Sequence, residues 1–547
     1  MRADDLLTYY ERIADAPNAV SLLRRFIRDL AIRGRLVSQD RQAELMSSIL
    51  KRQGIAPVAA EAFIIPPCWA WVNVGAVAET RLGKMLDKAK NRGSLRRYLR
   101  NINVRWFDFD LSDVLEMRLD DGEVKEYSLR SGDVLICEGG EPGRAAVWDE
   151  RERGIYFQKA LHRVRFLDLV DGRYFVHALK ASADDGRLCE YFTGTGIQHF
   201  TGKSLNEYLI PLPPLAEQHR IVAKIDELMA LCDRLEAARA EREATRDRLT
   251  AASLARLNTP DLDPAIFATH ARFALDHLPA LTARPDQIKH LRQTILTMAV
   301  RGELVPQDPN DEPAITFDKA LPDDVEPPFA IPARWKWARL RTLGKLKGGG
   351  TPSKARDEFW NGRIPWVSPK DMKIDYISTA QLHITEAAVI ASAANLIRAG
   401  SILFVVRGMI LAHSFPVAIS GVPLAINQDM KALEPKRPEM AEFLLRALKG
   451  LKLEMLKRVQ RSSHGTCRIE GSDYGDLLIP IPPLREQHRI VAKVDALVAL
   501  CDSLEQSLAA GEATRRRLLE ALLSEALASK REVRGATKQD AQIDDAA

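Results

Sequence analysis

The chain writes one sentence twice. Pro211–Glu236 and Pro480–Glu505 stand 269 residues apart and are identical at 20 of 26 positions. A repeat of that length is too long for a solenoid and implies two domain-sized copies. The copying extends outward. Glu243–Leu249 (EATRDRL) recurs as Glu512–Leu518 (EATRRRL), and Leu30–Asp40 (LAIRGRLVSQD) as Met298–Asp308 (MAVRGELVPQD). Trp69 and Trp71 return as Trp335 and Trp337. Between these ends the halves share only echoes: Ser131–Ile136 with Ala399–Phe404, and Phe157–Val164 with Asn427–Glu434. Each half therefore reads as a short helix, a diverged body and a long helix.

Composition sets the class. The 547 residues suffice for several domains with a buried core. The opening stretch has acidic residues and no apolar core, so no signal peptide is expected. No run of 18 apolar residues is present, so no membrane-spanning helix is expected. The six cysteines form no CxxC pair. Cys232 and Cys501 fall at matching helix positions among apolar neighbours, which fits a reducing, cytoplasmic location and no metal site. A net charge of +5 says little by itself, so the local distribution of charge must decide the partner.

The copied stretches are helices. Ile221, Ile225, Leu228, Cys232 and Leu235 recur at intervals of four and three, a heptad seam, and Ile490, Val494, Leu497, Cys501, Leu504 and Leu508 repeat it. Prolines lead each helix, and Glu217 and Glu486 lie in the favoured first turn. Each helix extends to about 40 residues, roughly 60 Å. The two seams are expected to bury each other as an antiparallel rod. A seam requires only apolar spacing. Identity at Gln218, His219, Arg220 and Lys224 and at Gln487, His488, Arg489 and Lys493 exceeds that need. Read as exposed positions, these are candidates for docking the same partner twice.

The bodies read as α+β globules of about 150 residues. Strands are expected at Val134–Cys137, Ala145–Trp148, Ile402–Val406 and Pro416–Ile419, and helices near Phe175–Ala183 and Met440–Val459. Arg81–Arg105 holds nine Lys or Arg and one acid, Asp87. Arg81, Lys84, Lys88, Lys90, Arg92, Arg96, Arg97, Arg100 and Arg105 are candidate phosphate contacts. The counterpart in the second body is Leu346–Lys373. Its glycines allow close backbone approach to a ligand, or make an ordinary turn. The candidates here are Lys347, Gly349, Thr351, Ser353, Lys354, Arg356 and Lys370, with Arg407 beyond. The expected division is a helical segment over 1–60, a first body over 61–212, a helical spacer and connector over 213–330, a second body over 331–481, a spacer helix over 482–530 and a disordered tail over 531–547.

No catalytic or metal-binding set emerges. Gly194–Ser204 (GTGIQHFTGKS) imitates a phosphate loop, but Gly196 and Gly202 enclose five residues where that loop has four. Gly139–Gly143 lacks the frame of a dinucleotide site. HExxH, GxSxG and [DN]PP[YF] are absent.

Two diverged bodies alternating with helices that begin IPLPPLAEQHRIVAK and IPIPPLREQHRIVAK, with AIRGRLVSQD, AVRGELVPQD, GGGTPSKARDEFWNGRIPWVSPKDM and QHFTGKSL, resemble the DNA-specificity subunits of type I restriction-modification enzymes. The resemblance spans roughly residues 15–530. It implies a pseudo-two-fold tandem repeat in which two target recognition domains are separated by two long antiparallel helices. Each domain would read one half of a split double-stranded DNA site. The helices would dock two methyltransferase (modification) subunits, which restriction–translocation subunits join. It implies no catalytic residue and no cofactor on this chain. S-adenosylmethionine, ATP and Mg are expected on the partners. The stretches Leu257–Arg284 and Pro306–Pro328 leave the spacer length open. The rival reading is a non-DNA scaffold with two protein-binding modules on a helical rod. A fused methyltransferase is not expected, because residues 1–60 cannot hold its catalytic domain.

Overall fold

The computed structural model describes residues 16, 18–40, 42–59, 62–87, 89, 91–259, 263–317, 326–461 and 465–528. Lys88, Lys90, most of the N-terminal 17 residues, the expected tail and 318–325 of the acidic stretch lie outside them. The chain divides into two compact units. One takes the residues up to Glu241 and again from Glu512; the other takes Arg242–Gly511. The helices that matter are α1 (Ala19–Ile32), α2 (Gly172–Asp184), α3 (Leu215–Leu257), α4 (Pro285–Arg301), α5 (Ala441–Gly450) and α6 (Leu484–Ala528). The long helices α3 and α6 have 43 and 45 residues, about 65 Å each.

Both units follow one plan. In the first, the seam residues Ile221, Ile225 and Cys232 pack on Ile27 and Ala31 of α1 and on Trp69 and Tyr174. Arg24 of α1 reaches Asp233 and Glu236 at 2.5 and 2.9 Å. The other side of α1 meets the end of α6, where Ala19 and Phe26 pack with Leu519, Leu522 and Leu523. In the second unit, Ile490, Val494 and Cys501 share a core with Ile288, Ile295 and Trp335. Arg292 of α4 pairs with Asp502 and Glu505. The end of α3 returns the contact: Arg284 pairs with Glu243 at 3.0 Å, and Asn258 donates to Thr294 at 2.9 Å. A short helix gripped between the start of one long helix and the end of the other is thus made twice. The heptad seams are covered by these short helices and by the tryptophans of the bodies.

The copied loops close the same knot. Gly34 and Gly302 end α1 and α4 with φ of 65° and 78°, a left-handed conformation that glycine takes without strain. A Cβ on either would overlap the ring of Pro66 or Pro332 and press on Trp69 or Trp335. Those prolines and tryptophans open the bodies, which explains why RGxLV and the IPP/IPA tryptophan stretch are copied together.

The first body uses β1 (Ala70–Asn73), β2 (Ala78–Leu82), β3 (Ser94–Leu99), β4 (Leu115–Leu119), β5 (Val134–Cys137), β6 (Ala145–Val147), β7 (Tyr156–Phe157), β8 (Leu161–Phe166) and β9 (Leu209–Leu212). An antiparallel sheet runs β2-β8-β5-β6, and a smaller one β4-β3-β7 with β3 and β7 parallel. β1 pairs with β9. Helix α2, capped by the Asp171 carboxylate on the Arg173 N–H at 2.7 Å, covers the larger sheet with Phe175, Val176 and Leu179.

The second body uses β10 (Lys336–Arg339), β11 (Gly344–Gly348), β12 (Trp360–Val367), β13 (Tyr376–Ile377), β14 (Leu382–Ile384), β15 (Leu396–Ile397), β16 (Ile402–Val405), β17 (Val417–Ser420), β18 (Leu424–Ile426), β19 (Met430–Pro435) and β20 (Leu478–Ile481). Its sheets run β11-β19-β16-β17-β13 and β14-β12-β18-β15, and β12 and β18 are parallel. Every strand of the first body's two sheets has a counterpart here in the same order, and the second body adds one edge strand to each sheet, β13 and β15. Pairing also sets the register. Gln158 and Asn427 make the same bond, to Leu99 and Val367, so Phe157 matches Ile426 and the sequence echo is one residue out.

Candidate nucleic-acid interface

In each body the strand ends beside the parallel pair gather several loops. In the second body the turn Asn427–Asp429 is the hub. The Asn427 N–H donates to the Val367 carbonyl at 2.9 Å, so the loop carrying Lys370 leaves β12 beside it. Thr351 donates to the Gln428 side chain. The Arg407 N–H donates to the Asp429 carbonyl at 3.2 Å. Thr351, Lys370 and Arg407 are therefore brought together, with Gln428, which sequence reasoning missed. Its only signal was its place in the Asn427–Glu434 echo. Lys354 is exposed on the same loop as Thr351. Ser353 uses its carbonyl to accept from Trp360 at 3.1 Å, and Arg356 pairs with Glu358 at 2.8 Å. Lys347 is turned to Glu434 at 2.8 Å.

The glycine run has a structural cause. A Cβ on Gly349 would overlap the Asn427 carbonyl, and one on Gly350 the Ala393 carbonyl. The backbone that approaches these glycines is the chain's own, which corrects the ligand-approach reading of Gly349. Gly83 repeats the arrangement against Gln158 in the first body.

The basic segment is not a bare cationic stripe. Arg81 pairs with Glu126, Lys84 with Glu123 and Arg97 with Glu152. Arg96 meets Asp121 at 2.7 Å, Arg100 meets Asp113 at 2.6 Å and Arg105 meets Asp110 at 3.3 Å. Arg92 donates to the Ala89 carbonyl at 2.9 Å. The open pairs, Arg81–Glu126 and Arg105–Asp110 among them, contribute only about 0–1 kcal/mol each, so a phosphate can displace the acid there at little cost. Within the segment itself the only acid is Asp87. Pairing with nearby acids such as Asp108 and Asp110 is the structural alternative the sequence offers, and Arg105–Asp110 realises it, while Glu123, Glu126 and Glu152 arrive from farther along the chain.

The docking candidates divide. Gln218 and Gln487 are buried, contrary to their reading as exposed. Gln218 donates to the Leu169 and Pro213 carbonyls at 2.8 and 2.9 Å and accepts from the Asp171 N–H at 2.8 Å. Gln487 donates to the Pro482 carbonyl at 2.9 Å. They lock the helix start to its own body and are unavailable to a partner. Arg489 meets Asp311 at 2.6 Å and holds that carboxyl below the usual range. His219, Arg220, His488 and Lys493 are exposed, and Lys224 is half-exposed with Glu227 at 2.8 Å.

Among the described residues, no cluster of three or more His, Cys, Asp or Glu is placed to hold a metal. Among them too, no helix is long and apolar enough to cross a membrane. The model of the type I restriction modification DNA specificity domain matches residues 104–243 and 332–510, one match in each body and its long helix. The chain belongs to that family. The specificity subunit of the type I restriction enzyme EcoAI of Escherichia coli is 25% identical over 585 residues, covering 93% of this chain and 94% of that one. The EcoR124I/EcoR124II specificity subunit of Escherichia coli is 37% identical over 174 residues, 32% of this chain and 43% of its own length. A chain solved in work on complex assembly and conformational transition of the type I R-M system shares the fold, with a TM-score of 0.52 at 22% identity, over 85% of this chain and 98% of that one. Membership in the type I specificity family makes this a DNA sequence specificity subunit. DNA and the other subunits of the complex are the partners that membership implies.

Proposed function

We propose that this chain supplies the target of a type I restriction-modification complex by reading a bipartite, asymmetric DNA site, one body to each half. The observation that carries this is the pairing of one strand skeleton, present twice, with different loops at the same strand ends. A shared skeleton holds both bodies to one geometry while different loops present different groups to base edges. Half-sites read by a repeated module suit a target split along the duplex. The copied helix starts, with His219, Arg220 and Lys224 on one and His488 and Lys493 on the other, dock two methyltransferase subunits. Restriction–translocation subunits join that core. The chain itself is non-catalytic. S-adenosylmethionine, ATP and Mg belong to the partners. Work in the cytoplasm suits such a subunit.

Exchange of residues 67–209 for the first body of another family member tests the reading. Mapping methylated adenines in a host genome should show one half of the motif changed and the other kept. Change in both halves, or in neither, overturns it.

A further inference from the structure

The loop between β16 and β17 holds an arrangement that packing does not explain. Arg407 and Gly408 lead into a single turn, Met409–Ala412. Met409 is 63% exposed and Ile410 37%. The turn is nevertheless fixed. The Gly408 N–H donates to the Cys467 carbonyl at 2.9 Å, the Leu411 N–H donates to the Gly408 carbonyl at 3.1 Å, and Leu411 and Phe415 are buried in the core. Gly408 takes φ of 133°, which side chains rarely adopt. The pinned turn therefore holds Met409, largely exposed, and Ile410, partly exposed, at a fixed place on the loop. The equivalent loop of the first body, Glu138–Arg144, has seven residues against eleven here, and none of the seven is a large apolar residue. The difference falls on the shared skeleton where differing targets would be read. Arg407 on this loop, and Lys354 and Lys370 on the loops that run to the Asn427–Asp429 turn, are cations for which, among the described residues, no ion pair is found.

We propose that this turn is a base-reading element of the second body. Met409 and Ile410 take the 5-methyl groups of thymines in the major groove, and Arg407, Lys354 and Lys370 hold the flanking phosphates. Apolar side chains recognise thymine through that methyl, the one apolar group a base pair offers in the groove. The proposal rests on the reading of the second body as a DNA half-site reader.

The test uses the full chain assembled with its methyltransferase subunits and duplexes carrying the mapped motif. Thymines of the second half-site are replaced by deoxyuridine, which removes only the methyl. The wild-type complex should bind the deoxyuridine duplex roughly tenfold more weakly. Met409→Ser with Ile410→Ser should lose a similar factor on the thymine duplex and nothing further on the deoxyuridine duplex. Met409→Ser alone, at a largely exposed position, should show the same pattern at smaller size. Indifference of the wild type to deoxyuridine overturns the proposal, as do losses that add on the two duplexes. A variant that no longer assembles with the methyltransferase would mark the turn as a protein interface and overturn it too. Failure of the underlying reading looks different: the wild-type complex would bind cognate and scrambled second half-sites alike.

Discussion

Glu486 shows what the copied letters are for. It is buried at the start of α6 and accepts twice, from the Gln307 side chain at 2.6 Å and from the Trp335 indole at 3.0 Å. Burial pushes its carboxyl up, against the pull of those two bonds. Glu217 makes the same contact with Gln39 at 2.6 Å. Three copied stretches thus meet at one carboxylate. Glu486→Gln replaces one acceptor with a donor that faces another donor. It should lower stability by about 1–3 kcal/mol, read as a fall in Tm, and Gln307→Ala should cost less in that background than in the wild type. The sequence showed that these letters recur but not that they face inward. A polar residue on a helix looks solvated until the body that covers it is placed, and Gln218 was misread for that reason. His162 gives a pH test. It is buried, its Nε2–H donates to the Phe200 carbonyl at 3.0 Å, and burial lowers its pKa to about 4. The unfolded imidazole binds a proton near pH 6.5. Between about 6.5 and 4 the unfolded chain therefore holds the extra proton, so the fold loses stability as pH falls through that window, by up to about 1.4 kcal/mol per unit. His177, pushed down to about 3, adds to the same trend. Tm measured from pH 7 to 4 should drop less steeply in His162→Gln.

At the scale of elements, local signals were legible and pairing was not. The expected strands at Val134–Cys137 and Ile402–Val406 stand within a residue of those observed, since short buried runs of β-branched and apolar residues between glycines have few alternatives. Helix α2 lies where Phe175–Ala183 was expected, and Met440–Val459 breaks into two helices at Leu451. The parallel contact of β3 with β7 joins residues nearly sixty apart, and no local pattern announces it. The basic segment fails as a stripe for the same reason: Arg97 finds Glu152 and Arg96 finds Asp121 only after the sheet forms. That changes the useful experiment. If these arginines hold phosphates, their acids compete with DNA. Asp121→Asn with Glu152→Gln should then tighten binding to cognate and scrambled duplexes alike. It should also steepen the salt dependence by about one log–log unit per phosphate gained. A fall in Tm with affinity unchanged would make the pairs structural instead.

For the whole molecule the question is why the outer face of each helix start has been kept. Internal packing accounts for Glu217, Gln218, Ile221 and Ile225, all buried in their own unit. It does not account for His219 or for His488, which are exposed at matching positions. His219 lies 3.7 Å from Asp171, too far for a strong bond. Lys224 pairs with Glu227, while Lys493 keeps the same letter in an exposed setting. Docking of one methyltransferase subunit at each copy, as proposed above, would retain such letters. Substitution should then act one copy at a time. His219→Ala with Lys224→Glu should leave an assembly that holds one methyltransferase subunit in native mass spectrometry, and the matching pair His488→Ala with Lys493→Glu should do the same from the other copy. All four together should hold none, while stability falls by no more than about 1 kcal/mol, the range of surface substitutions and of one lost exposed ion pair. Retention of two subunits by the fourfold variant would remove these residues from the docking surface. Loss of both from a single pair of substitutions would mean that the two sites do not bind independently.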